Sequence, residues 1–128
     1  MKYKVLALFL TFIMAIGMLS VTASAAFEDT NGHWSEDAVT RWSSFGIIEG
    51  YGNGQFNPTG ELTRGQLAAI IARLLNLPEA ESAGFTDIDG HWAEDVINRC
   101  AAVGIMQGDG TNARPNDPIS REETMVML

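Results

Sequence analysis

The 128-residue sequence holds one cysteine, two histidines and two lysines, and both lysines, Lys2 and Lys4, lie at its start. With Cys100 alone there is no disulfide framework, so a packed core has to supply stability. Two histidines and one cysteine cannot complete a zinc site, and no metal or cofactor is expected. No carboxylate pair marks a defined cleft and no nucleophile stands with a base, so this stretch does not read as an enzyme. Past Lys4 the only basic side chains besides the histidines are six arginines, set against sixteen carboxylates. Such a surface repels nucleic acid and anionic membranes, and neither is an expected partner.

What is present begins with an export signal. Lys2 and Lys4 give a short basic start, residues 5–21 form an almost unbroken apolar run, and Ala23, Ser24 and Ala25 supply the small residues of a cleavage site. A retained anchor is the alternative, but Thr11, Gly17 and Ser20 dilute the run and no basic stop-transfer cluster follows. Residues 1–25 are therefore expected to be cleaved. The remaining 103 residues carry a formal charge of −10, and they suffice for one small domain but not for two independent ones.

The mature part says one thing twice. FEDTNGHWSEDAVTRW at 27–42 returns as FTDIDGHWAEDVINRC at 85–100, an offset of 58 with eight of sixteen positions identical. A repeat of this length means stacked copies of one supersecondary unit, here 26–83 and 84–128. In the first copy residues 33–45 read as a helix with Ala38, Trp42 and Phe45 on its apolar face. The second copy places Trp92, Val96, Cys100 and Val103 there, so Cys100 reads as a small buried hydrophobe in the slot of Trp42. Gly46 and Gly104 follow as left-handed C-caps.

Glycine-rich loops come next, at 50–54 and 108–112. Thr63 with Gln66, and Ser120 with Glu123, then form capping boxes that open a second helix. In the first copy its apolar stripe is Leu67, Ile70, Ile71, Leu74 and Leu75. Residues 76–83 are the linker. The expected class is all-α, built of tandem helix-loop-helix units that bury their stripes against each other. The second copy stops about two turns into its second helix, which reads as a truncated repeat.

F-x-D-x-x-G-H-W-[SA]-E-D, then G-I-x-x-G in a glycine-rich loop, then [LI]-[TS]-R-x-[QE], resembles the S-layer homology (SLH) repeat over almost all of residues 27–128. The resemblance implies an exported bacterial surface protein, held to the cell wall by a helical pseudo-threefold module commonly made of three repeats. It implies as ligand a pyruvylated secondary wall polymer, or other wall polysaccharide or peptidoglycan. The family's T-R-A-E is Thr63-Arg64-Gly65-Gln66 here and Ser120-Arg121-Glu122-Glu123 in the second copy.

Arg64 and Arg121 stand at the first position of a helix, where an acid is the usual choice. With free backbone N–H groups they make a receptor for carboxylate or phosphate. The alternative is that each pairs with an acid of its own or the adjacent repeat and fixes their packing. Trp34 and Trp92 are either sugar-stacking platforms or core anchors. Gly50 and Gly108 either admit a saccharide to the backbone or serve the turn. His33 with Asp37, and His91 with Asp95, stand four apart and read as local hydrogen bonds or caps. Asp87, Asp89 and Glu94 lack the spacing of a calcium loop. The expected function is a non-catalytic wall-attachment module. The alternatives are the anchor of a wall- or polysaccharide-degrading enzyme with its catalytic domain past Leu128, or a component of a surface lattice.

Overall fold

A computed structural model describes residues 27–128, so the expected signal segment lies outside the described residues. Four helices follow a single 3-10 turn at Glu28–Thr30: α1 (Glu36–Ser44), α2 (Arg64–Leu74), α3 (Glu94–Ala102) and α4 (Arg121–Met127). Among the described residues there is no strand beyond an isolated bridge between Thr63 and Pro118, and no helix long and apolar enough to cross a membrane. The class is all-α, and each unit contributes two helices.

Local chemistry sets the helix ends. Thr63 and Ser120 accept from the backbone of Gln66 and Glu123, whose side chains accept in return from the cap N–H groups, closing both boxes. Gly46 and Gly104 adopt φ of 69° and 77°. Gly46 donates to Ser43 and Ile47 to Trp42, while Gly104 donates to Ala101 and Ile105 to Cys100, the paired bonds of a Schellman stop. Asn76, at φ 48°, ends α2 in the same way. The first helices start three residues later than the pattern 33–45 implies. His33 and His91 instead make a turn, each accepting at Nδ1 from the N–H two residues on. Asp37 is not the partner of His33, and Asp95 pairs with Arg99 at 2.8 Å.

One acid ties each loop to its unit. Asp29 accepts from the N–H groups of Phe56 and Asn57, and Asp87 from those of Ala113 and Arg114, all at 2.6–3.1 Å. The two bonds let Asn57 and Arg114 hold positive φ at matching places. Gly50 and Gly108 pass so close to the rings of Phe27 and Phe85 that a Cβ at either would overlap ring and loop carbonyl. Glycine here serves packing and the turn.

The core lies between the units. Leu67, Ala68, Ile71 and Ala72 of α2 pack on Ala93, Ile97 and Cys100, joined by Ile88, Met106 and Met127. The α2 face differs from the expected stripe, because Leu74 and Leu75 are half exposed while Ala68, Ala69 and Ala72 are buried. Small residues let the helices approach until the Cys100 thiol donates to the Ala68 carbonyl at 3.4 Å. Burial pushes that thiol up to about 11. On α1 the expected face of Ala38, Trp42 and Phe45 is largely exposed and Val39 is buried instead, because nothing among the described residues covers it as α2 covers α3.

Arg64 closes the junction. It is 4% exposed, and its guanidinium donates to the carbonyls of Ala113 and Gln107 and to Glu123, at 2.9, 2.7 and 2.8 Å. Glu123 also receives Arg114 at 2.9 Å. Arg64→Ala would strand the buried Ala113 carbonyl and leave Gln107 and Glu123 without this donor, and a loss of about 3 kcal/mol in urea unfolding is expected.

Acid should loosen the same ties. Partial desolvation raises Asp29 and Asp87, but the backbone donors outweigh it and leave both below 3.8. The Ser120 N–H first, then Arg64 and Arg114, hold Glu123 below 4.5. Carboxylates lowered in the folded state stabilise it fully above their ordinary values and lose this as pH falls through the folded ones. The urea midpoint is therefore expected to be flat from about pH 7 to 5 and to fall below about pH 4.

Candidate functional site

A groove of about 380 Å³ opens between the two units. One wall is the first-unit loop at Glu49, Gly50 and Tyr51, continued by Phe56, Pro58 and Gly60. The floor is α2 through Gln66, Ala69, Ile70 and Arg73, and Trp92 of the second unit forms the far edge. The duplicated fold explains this placement. Trp92 precedes α3 in a turn fixed by His91, and α3 is seated on α2, so Trp92 overlooks the preceding unit's loop.

Trp92 is 61% exposed and Trp34 89%, which rules out the core-anchor reading for both. Each indole lies against its neighbouring histidine, with ring centroids 5.5 and 5.6 Å apart. Tyr51 adds a second exposed aromatic, and its hydroxyl receives the Gln66 amide at 3.1 Å. Aromatic faces flanking a half-apolar groove suit the C–H face of a sugar ring.

Of the six residues singled out in the sequence, the groove unites Gly50 and Trp92. Gly108 borders a separate, shallow depression with Phe85 and Met106. Trp34 is the repeat counterpart of Trp92 on the outer side of the first unit. Arg64 is turned away from solvent into the junction and pairs with Glu123 of the adjacent repeat, so the packing reading describes it and the exposed-receptor reading does not. Arg121 is exposed, and its side chain makes no hydrogen bond or ion pair among the described residues.

The cation that lines the groove is Arg73, bonded to Glu49 at 2.7 Å across its rim. Sequence reasoning passed over it, as it did Tyr51. Arg73 sits in the last turn of α2, where a basic residue is explained by the helix dipole alone. Glu49 and Glu61 outnumber it, so the groove holds a slight excess of negative charge. Among the described residues no group of three or more His, Cys, Asp or Glu is arranged to hold a metal ion.

The sequence profile of the S-layer homology domain matches residues 26–68 and 84–125. Over 99 residues, 76% of the chain, the sequence is 41% identical to endo-1,4-beta-xylanase A of Thermoanaerobacterium saccharolyticum and covers 9% of that protein. It is 38% identical to exoglucanase XynX of Acetivibrio thermocellus over 78% of the chain and 9% of the relative. Against S-layer protein sap of Bacillus anthracis it is 34% identical over 98% of the chain and 16% of the relative. The chain thus spans a small part of the length of the curated relatives it matches. Two matched repeats, in the order and geometry described, place the chain in the S-layer homology domain family.

Proposed function

We propose that the two units form a non-catalytic attachment module of an exported surface protein, holding it to the cell wall by binding wall polysaccharide in the groove between repeats. The observation that carries this reading is the groove itself, edged by the exposed rings of Trp92 and Tyr51 and floored by Arg73. The preferred ligand is an anionic, pyruvylated secondary polymer. Sugar stacks on Trp92, the chain passes Gly50, and a carboxylate takes the place of Glu49 on Arg73 as a bidentate partner. Arg64 contributes by holding the two walls together. Arg121 and Trp34 offer the same chemistry on the outer faces of the pair.

Enzymatic and S-layer relatives share this segment while differing in name, which supports an anchor role with varied cargo. A polysaccharide-degrading enzyme carrying the module is therefore a second reading, compatible with the first. The two-repeat segment itself is expected to release no sugar from wall polysaccharide.

Sedimentation with purified walls tests the binding site. Trp92→Ala is expected to weaken retention about tenfold with the melting curve unchanged, since the ring is exposed. Glu49→Gln should strengthen retention by freeing Arg73, and walls stripped of secondary polymer should retain little protein. Equal retention on stripped and intact walls would assign the ligand to peptidoglycan instead.

A further inference from the structure

Trp92 edges the groove, but its own side chain has few ties. The ring is exposed, its indole N–H meets no acceptor among the described residues, and its aromatic neighbour is His91 at 5.6 Å. The face that Trp92 offers is therefore set by whatever fixes His91.

His91 is held on both sides of its ring. Nδ1 accepts from the Ala93 N–H at 3.1 Å, and Ala93 is fully buried against α2, where a Cβ on Gly65 would lie 3.2 Å from its own. A nitrogen that accepts leaves the proton of the neutral ring on Nε2. Nε2 then donates to Asn116 Oδ1 at 3.1 Å. Asn116 is in turn tied to the groove floor. Its neighbours Pro115 and Asp117 accept, through their carbonyls, the N–H groups of Gly65 and Arg64 in the first turn of α2, at 2.9 and 3.0 Å. A line of contacts thus runs from the start of α2 through Asn116 and His91 to the indole.

The first unit makes the same turn without this brace. His33 Nδ1 accepts from the Ser35 N–H at 3.3 Å and lies 2.7 Å from the Ser35 hydroxyl, and the ring sits 5.5 Å from Trp34. Thr59 stands in the place of Asn116, at the offset of 57, and no hydrogen bond joins it to His33 among the described residues. The turn therefore forms without the outer bond. That bond is an addition, and what it adds is a fixed orientation for the ring pair.

We infer that His91 and Asn116 are positioning residues for glycan binding, holding the Trp92 indole at a set angle over the groove before any sugar arrives. The role rests on the reading of the groove as a glycan site. Neither residue touches the ligand. A ring already ordered loses less freedom when a sugar stacks on it, so the brace raises affinity without adding a contact. It also links the two halves of the site, because the residues that grip α2 are the ones that flank Asn116.

Asn116→Ala tests the brace, since Asn116 is exposed and its loss leaves the groove lining and the Ala93 bond in place. Retention on purified walls is expected to fall about fivefold with the melting curve unchanged. The 15N order parameter of the Trp92 indole should fall with it, and Asn116→Asp, which keeps an acceptor for Nε2–H, should restore that order parameter. In a Trp92→Ala background, Asn116→Ala should change retention no further. Unchanged retention in Trp92→Ala itself would sink the glycan reading and this role together. Retention lost in Trp92→Ala but kept in Asn116→Ala, or an Asn116→Ala loss that persists without Trp92, overturns the positioning role alone.

Discussion

The rest of the structure hangs on the burial of Arg64 between the two units. Removing a guanidinium from water is costly unless every charged N–H group it loses to solvent finds a partner. Here two carbonyls and one carboxylate meet it, and all three belong to the other repeat. Docking the units and satisfying the arginine are therefore one event. The same carboxylate, on Glu123, returns to the Ser120 N–H and completes the capping box of α4. Helix initiation in the second unit and the junction with the first are coupled through a single side chain.

That coupling also positions the groove. Because α3 rests on α2, the turn before α3 carries Trp92 over the loop of the preceding unit. Neither unit builds the site alone, as one supplies the loop, Tyr51 and Arg73 and the other the indole. A repeat protein thereby makes its grooves out of junctions, and the number of grooves follows the number of neighbours instead of the number of copies.

Much of this was legible in the sequence, and the reason lies in where each signal originates. The capping boxes, the glycine stops and the tight loops are local devices, fixed by a hydroxyl three residues from an N–H or by a backbone angle that glycine tolerates. They stand where the sequence puts them. The faces of the helices are set from outside. Periodicity marks Trp42 and Phe45 as apolar, but whether they are buried depends on what lies against α1, and the half-exposed Leu74 and Leu75 of α2 show the same. Arg64 reads either as an anion receptor or as a packing arginine until the carbonyls of residues more than forty positions away are known to surround it. The double grip of Asp29 and Asp87 on their loops is equally non-local.

The slot shared by Trp42 and Cys100 has a consequence for life outside the cell. An exported protein with one thiol runs the risk of mixed disulfides and covalent dimers in an oxidising medium. Cys100 is wholly buried, its sulfur is held to the Ala68 carbonyl, and its pKa is pushed to about 11, so almost no thiolate forms at neutral pH. Packing two helices close enough to need a small residue has made that residue chemically silent, and the thiol stays so for as long as the two repeats stay together.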